Sequence, residues 1–543
     1  MRELVLLRLR RLSVLLIVGL GATVSCAGFE PATVTVHGVP VRCETAFVAM
    51  RDGVRLCTSV LTPTNVAPSP VVFVRTPYLK VRKGQRRDVA LARKVADYVA
   101  RGYVYVEQQC RGTCSSEGTF RHYIEREDGL DTLAWIRRQP WYGGEIFPEG
   151  GSYLSSVHLA YLDTDPPDIK GAALSIQTDR MYYRNYRNGC CYGWCNFGWW
   201  KAMSPRKVRP DGAVPRRPYR DMARRAWGED DPWFTDRLMH TDCDDFWTSD
   251  PRWNAMEHIR FPVLWRDGWW DFYIEGMTSM WERMIPEWKA KSVFEMSATA
   301  HGRIDFSQTS VPMSGAPSGL STLDFFDAIR TGRPAADIPY GKMRYHSVGA
   351  DGWRTGVWPR AVTYRFVPLA GTRADWTYDP HGPRIPGLEE GKCQRAWDSG
   401  SRTDAVEFVS APFASDASFF GKPRLDVSVT SDCEDTQFFF RLDLVDPQGA
   451  AWNFCQTITS LRHVVPGYRP GAEAKVRLEF PLAGFTVRKG WSVRLDVCSD
   501  GGVYVQHANV ARHWAEVTED EVCVAHNAVR ADSLKLEFPE ENR

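Results

Sequence analysis

The chain has 543 residues, 43% hydrophobic and 12% aromatic, which is enough apolar content to bury the cores of about two to four domains. Its 68 basic residues nearly cancel its 66 acidic ones, leaving a formal charge of +2. That balance excludes a global field able to draw in nucleic acid or an anionic membrane, and neither is expected as a partner.

Residues 1–27 read as an export signal. Arg2, Arg8, Arg10 and Arg11 precede the apolar run Leu12 to Val24, which closes on Ser25-Cys26-Ala27-Gly28. Ser25 and Ala27 fit a small-x-small cleavage site, so the mature chain is expected to start near Gly28 and to work outside the cytoplasm, periplasmic or secreted. Cys26 also fits a lipid-attachment cysteine, which Thr23 in place of the usual leucine disfavours. Such an anchor would be the one membrane contact, because the run is shorter than the roughly 20 residues that a span needs. Fourteen cysteines suit an oxidising compartment. Cys43 with Cys57, Cys110 with Cys114, and the cluster Cys190-Cys191-Cys195 are the local bridges expected. No second pair at matching spacing supports a zinc site there, and no metal is expected.

From Cys43 to Thr62 alternating apolar residues predict a hairpin around Arg51-Asp52-Gly53. The period then changes. The run from Pro70 to Val74 predicts a strand covered on both faces, Ala90 to Ala100 a helix, Tyr103 to Val106 a strand and Asp128 to Arg138 a second helix. Gly143 to Phe147 predicts a short strand, against which Pro148 stands as a missing N–H. A helix from Tyr153 to Tyr161 and a strand near Ile169 to Ile176 come next. This alternation predicts a mostly parallel sheet with helices on both faces.

Residues 179–260 break the pattern. They are rich in Tyr, Trp, Arg and Cys and predict an inserted helical cap whose aromatics either wall a pocket or form the cap's own core. Alternation resumes with the strand Pro262 to Trp265, a helix from Tyr273 to Met284 and the strand Val293 to Met296. Beyond about Ser347 the pattern is period-two strands between Gly, Pro and Asp turns, with Pro380 to Gly391 as a long connection. Those strands predict an antiparallel sandwich of the jelly-roll kind. The expected organisation is a signal peptide at 1–27, an α/β unit at 40–178 and 261–346, the cap at 179–260 between its halves, and the sandwich at 347–543.

The stretch Gly150-Gly151-Ser152-Tyr153-Leu154-Ser155 places a serine among small residues where a strand gives way to a helix, as a nucleophile elbow requires. Leu154 stands where G-x-S-x-G would have its second glycine. Asp271 follows the next strand but one and His301 the strand after that, so all three residues sit at carboxyl ends of predicted parallel strands, where open α/β sheets hold their sites. The chain order Ser, Asp, His is that of an α/β-hydrolase.

Several stretches together resemble the family of bacterial cocaine esterase and X-prolyl dipeptidyl aminopeptidase. They are Arg75-Thr76-Pro77-Tyr78, Arg111-Gly112 with Ser116-Glu117-Gly118, Glu127-Asp128-Gly129 leading to Trp135…Gln139-Pro140-Trp141, the Ser152 stretch, Pro166-Pro167, Gly268-Trp269-Trp270-Asp271 and His301-Gly302. The resemblance implies an α/β-hydrolase sheet with an inserted cap followed by a jelly-roll domain. It also implies Ser152 as nucleophile, Asp271 as acid, His301 as general base, and an oxyanion hole made by the Tyr78 hydroxyl and the Tyr153 N–H. No cofactor is implied.

Three departures from the family pattern concern this region. Ser155 replaces a usual glycine and is expected to crowd the elbow, Gln109 replaces an aspartate, and Ser297-Ala298-Thr299 replaces Gly-Pro-Trp. The expected activity is cleavage of a small ester or amide, or of a short peptide, with an ester favoured. An X-Pro dipeptidyl peptidase or amino-acid ester hydrolase would need acidic residues for the substrate's amine, and only Glu275 follows Asp271 closely. A binding protein that uses the sandwich is the alternative outside enzymology.

Overall fold

The computed structural model describes residues 30–65, 67–78, 86–122, 124–204, 206–301, 319–382 and 400–541, with the side chains of Trp194 and Cys195 excepted. The expected leader with Cys26, and the expected connection to Gly391 beyond residue 382, lie outside the described residues. No helix among the described residues is long and apolar enough to cross a membrane.

An eleven-stranded sheet organises the first two thirds of the chain. Strands β1 (Ala32–Val36), β2 (Val39–Ala49) and β3 (Arg55–Pro63) run antiparallel, with the expected turn between β2 and β3. Seven strands then run parallel in the spatial order β5 (Val104–Gln109), β4 (Ser69–Thr76), β6 (Tyr142–Gly151), β7 (Ala172–Ser175), β10 (Val263–Gly268), β11 (Val293–Ser297) and β12 (Met343–His346). Between β7 and β10 in the chain, β8 (Tyr186–Arg187) and β9 (Cys190–Cys191) form a separate antiparallel ribbon in the cap. β13 (Trp353–Gly356) closes the far edge antiparallel. The sheet therefore starts at Ala32 and continues past Ser347, so the unit exceeds the expected span of 40 to 346 at both ends.

Alternating residues of β4 explain the layering. Val72 and Val74 pack with Leu91, Val95 and Val99 of α1 (Arg87–Ala100) on one face. Val71 and Phe73 pack with Leu133 and Ile136 of α2 (Arg126–Ile136) and Leu159 of α3 (Tyr153–Leu159) on the other. Burial on both faces is why the strand reads as one continuous apolar run.

Pro148 lies inside β6. The strand pairs with β4 through Ile146, Phe147 and Pro148 and with β7 through Glu149, Gly150 and Gly151. The proline thus falls where the strand changes partner, and its missing N–H breaks no continuous ladder.

Among the described residues the cap carries six short α-helices, α4 (Tyr182–Asn185), α5 (Trp200–Met203), α6 (Met222–Trp227), α7 (Pro232–Met239), α8 (Asp245–Thr248) and α9 (Ala255–His258). Tyr182, Trp200, Trp227, Phe234 and Trp247 form its own core, with Trp200 stacked on Phe234 at 3.7 Å between ring centres. Most cap aromatics are therefore structural.

After β10 come α10 (Ile274–Arg283) and α11 (Pro286–Lys289), and α12 (Thr322–Thr331) precedes β12. The remaining strands are β14 (Tyr364–Val367), β15 (Asp375–Tyr378), β16 (Ala405–Val409), β17 (Ala417–Gly421), β18 (Arg424–Ser431), β19 (Gln437–Val445), β20 (Ala451–Ser460), β21 (Ala474–Glu479), β22 (Ala483–Val487), β23 (Ser492–Cys498) and β24 (Ala525–Pro539). They form two antiparallel sheets, β16-β23-β19-β20 and β14-β24-β18-β21 with β15 on β24, and a ribbon of β17 and β22. Their apolar faces share one core that is continuous with the α/β unit through Trp269, Tyr345, Trp358 and Phe420.

Two of the expected bridges, Cys43 with Cys57 and Cys110 with Cys114, do not form, and the Cys195 side chain of the third lies outside the described residues. In the β2–β3 register Cys43 faces Leu61 while Cys57 faces Phe47, so the two side chains are four residues out of step. Cys43, Cys110 and Cys190 carry buried free thiols, and burial raises the Cys43 thiol to about 11.

Candidate active site

Four parallel strands deliver the sequence-predicted residues to one edge. β4 ends at Thr76, two residues before Tyr78, and β6 ends at Gly151, immediately before Ser152. β10 ends at Gly268 and β11 at Ser297, close before Asp271 and His301 respectively.

Ser152 has φ 58° and ψ −127°, a strained backbone for a residue with a Cβ. The conformation is fixed by neighbours. Its N–H donates to the Ser175 carbonyl at 2.9 Å, its carbonyl accepts from the Ser155 and Ser156 N–H groups of α3, and Gln177 Nε2 donates to the same carbonyl at 3.1 Å. A Cβ on Gly150 would run into the backbone of Leu154, so glycine is what lets the strand fold back onto its helix.

Ser152, His301 and Asp271 form one hydrogen-bonded chain. His301 Nε2 lies 2.9 Å from Ser152 Oγ, and His301 Nδ1 lies 2.7 Å from Asp271 Oδ2. The other Asp271 oxygen accepts the Tyr273 N–H at 2.7 Å, so this carboxylate both orients the imidazole and caps the turn entering α10. Phe272 stacks on the His301 ring at 4.6 Å and holds its plane. A Cβ on Gly268 would collide with the Thr299 carbonyl. That close approach lets the Asp271 turn and the His301 loop lie against each other, with the Trp270 N–H donating to Thr299 O at 3.1 Å.

Tyr78 and Tyr153 flank the serine. Their rings meet edge to face at 6.4 Å, and the Tyr78 hydroxyl accepts a hydrogen bond from Trp199 Nε1 at 3.1 Å. Trp199 ends a π-helix spanning Trp194–Trp199; such π-helical turns recur at functional sites. Unlike its neighbour Trp200, it lies against the site, tilted on Tyr153 at 5.4 Å. The Tyr153 amide begins α3, where helix geometry turns an N–H toward an external oxygen.

Sequence reasoning missed a buried brace beneath this amide. The Tyr153 hydroxyl donates to Glu125 Oε1 at 3.1 Å, and Glu125 accepts from the fully buried Arg75 at 3.1 Å. Burial lifts the Glu125 carboxyl above its usual range, with Arg75 pulling the other way. Arg75 heads the R-T-P-Y segment, and that motif is the signal by which the brace could have been found.

The family departures have structural partners. Ser155 does not crowd the elbow. Its hydroxyl donates to Gly150 O at 3.1 Å and accepts the Ser175 N–H at 3.1 Å, pegging β6 to β7 behind Ser152. Gln109 Oε1 accepts the Ser115 N–H at 2.7 Å and organises the Arg111-Gly112 loop. Ser297 and Thr299 share a hydrogen bond of 2.6 Å between their hydroxyls. Glu275 is engaged by Arg187 Nε at 2.8 Å.

One further buried carboxyl adjoins the site. Asp267 Oδ1 accepts the Gly268 N–H at 2.8 Å, while its Oδ2 is buried without a hydrogen-bond partner among the described residues. Burial first, and then the charge of Asp271, push the Asp267 carboxyl well above the usual range.

Residues 52–302 match the model of the X-Pro dipeptidyl-peptidase (S15) family, and residues 358–531 match that of the X-Pro dipeptidyl-peptidase C-terminal non-catalytic domain. The chain is 24% identical over 552 residues to cocaine esterase of a Rhodococcus species, covering 89% of this chain and 95% of that protein. Among solved structures, an α-amino acid ester hydrolase superposes with a TM-score of 0.77 at 18% identity, covering 94% of this chain and 98% of the other. An aminopeptidase from a marine-sediment Thaumarchaeota archaeon superposes with a TM-score of 0.75 at 18% identity, covering 94% and 97%.

Proposed function

We propose, from the premise that the chain belongs to the cocaine esterase and X-Pro dipeptidyl-peptidase family of serine hydrolases, that it is an exported enzyme cleaving carboxylic esters through an acyl-enzyme on Ser152. The observation that carries this reading is the unbroken chain of hydrogen bonds from Asp271 through His301 to Ser152 Oγ.

In the proposed cycle His301 Nε2 takes the Ser152 proton as Oγ attacks the carbonyl carbon, while Asp271 holds the tautomer and stabilises the imidazolium. The Tyr78 hydroxyl and the Tyr153 N–H receive the oxyanion. His301 then gives the proton to the leaving oxygen, and a water activated by the same imidazole releases the acid and restores the serine.

The pairing of Glu275 with Arg187 supports a plain acyl ester over the amine-bearing substrates that the names of the structural neighbours suggest. Such an amine would need an acid available to it, and that acid is already engaged.

The test is fluorophosphonate labelling with a rate assay. Label is expected on Ser152 and absent from Ser152→Ala, and labelling that survives the substitution would refute the nucleophile. p-Nitrophenyl esters are expected to be cleaved in preference to X-Pro p-nitroanilides, with a loss on the order of 10⁴-fold or more in His301→Ala. Amino-terminal sequencing of the extracytoplasmic form is expected to begin near Gly28; a cytoplasmic chain that keeps Met1 would refute export.

A further inference from the structure

Trp199 touches both residues proposed to hold the oxyanion. Its indole Nε1–H donates to the Tyr78 hydroxyl at 3.1 Å, and its ring lies tilted on that of Tyr153 at 5.4 Å. The indole is gripped on further sides. The His122 imidazole meets it edge to face at 5.0 Å and is itself stacked on Trp233 at 4.4 Å, and the Arg184 guanidinium lies 5.0 Å from its ring centre, drawn to the ring face. These contacts fix the plane of the indole, and the plane fixes the direction of its N–H.

The backbone decides which tryptophan stands here. Successive residues on a helix point about 100° apart. Where the π-helix Trp194–Trp199 passes into α5, Trp199 therefore turns to Tyr78 and Trp200 turns to Phe234, on which it stacks at 3.7 Å.

The chemistry follows from what each group can give. An indole N–H only donates, whereas a phenol hydroxyl carries one proton and two lone pairs. The bond from Trp199 takes up a lone pair of the Tyr78 oxygen, so the hydroxyl holds its own proton on another side, away from the indole. Accepting this bond also polarises the hydroxyl and strengthens it as a donor, by roughly 10–30%. An oxyanion hole works through donors that are aimed before charge develops.

We infer that Trp199 is a positioning residue of the oxyanion hole, its N–H locking the rotor of the Tyr78 hydroxyl with the proton presented to the oxyanion. The inference rests on the serine-hydrolase reading and on Tyr78 as an oxyanion donor. A tryptophan that only packed against substrate would act on KM, and its effect would not depend on the Tyr78 hydroxyl.

The experiment is a double-mutant cycle read with a p-nitrophenyl ester. Trp199→Phe keeps an aromatic ring and removes the N–H, and it is expected to lower kcat about tenfold, part of the loss from deleting a whole donor, with KM within about twofold. In a Tyr78→Phe background, which leaves no hydroxyl to orient, the same substitution is expected to change kcat by less than about twofold. 3-Benzothienylalanine at position 199, which keeps the bicyclic ring and has sulfur in place of the N–H, is expected to give both results and carries the test if Trp199→Phe does not fold, with endpoint fluorophosphonate labelling of Ser152 reporting folding. Equal losses in the two backgrounds, or an effect on KM alone, overturn this inference while Ser152-dependent turnover stands. A Tyr78→Phe loss below fivefold overturns it together with the place of Tyr78 in the hole, and absence of any Ser152-dependent turnover overturns the serine-hydrolase reading with it.

Discussion

Replacing Ser155 with glycine, the residue its family usually carries there, separates two opposite expectations. If the hydroxyl crowds the elbow, removing it should stabilise the protein and speed acylation. In the structure Ser155 is 1% exposed and makes two bonds, donating to Gly150 O and accepting from the Ser175 N–H, both at 3.1 Å. Removing it takes away both of these side-chain bonds and adds the entropic cost of a helical glycine. Together these amount to about 2–4 kcal/mol.

Ser155→Ala keeps helix propensity while losing both bonds, so it should recover only about 1 kcal/mol relative to Ser155→Gly. Urea denaturation monitored by tryptophan fluorescence reads the stability, and the rate of fluorophosphonate labelling reads the elbow geometry. A Ser155→Gly variant as stable as the parent and labelled as fast would refute the view that this hydroxyl pegs β6 to β7.

Tyr78→Phe removes one proposed oxyanion donor and should lower kcat about 100-fold with little change in KM; a loss below fivefold, measured with a p-nitrophenyl ester, would remove Tyr78 from the hole. Glu125→Ala leaves the buried Arg75 with only the longer 4.0 Å ion pair to Asp128 and should cost about 3 kcal/mol in urea denaturation, and Glu125→Gln, which keeps an acceptor for the Tyr153 hydroxyl, should restore part of it. Asp267 binds its proton more tightly folded than unfolded, so the unfolded state releases it first. Stability should fall as pH rises above the ordinary carboxylate range toward the raised folded value, and Asp267→Asn should flatten that limb of a Tm-against-pH profile. A profile unchanged by Asp267→Asn would show that the carboxyl is ionised throughout.

The legible part of the site lies at strand ends. Ser152, Asp271 and His301 can be read because each comes after an apolar run of strand length, and parallel strands carry the residues at their carboxyl ends to a common edge. The same reasoning fails where a result depends on which residue meets which across the sheet. Cys43 and Cys57 look like partners along the chain, but the β2–β3 register offsets them by four positions. Strand β13 falls in the stretch that periodicity assigns to the sandwich, because so short an alternation cannot say which sheet it joins. In the cap, Trp199 and Trp200 are indistinguishable by letter, yet one faces Tyr78 and the other Phe234.

The sequence by itself determined the alternation of elements, the place of the Ser152 turn and the order of Ser152, Asp271 and His301 along the strand ends, because these depend on local periodicity and on backbone geometry that a few neighbouring residues set. Only the tertiary structure decided that Ser155 is a peg and no obstruction, that Glu125 and Arg75 brace Tyr153 from below, and that Trp199 meets Tyr78 while Trp200 packs on Phe234. Those relations join residues far apart in the chain. Their chemistry is set by distances of about 3 Å for hydrogen bonds and by burial, and neither is encoded in spacing along the sequence.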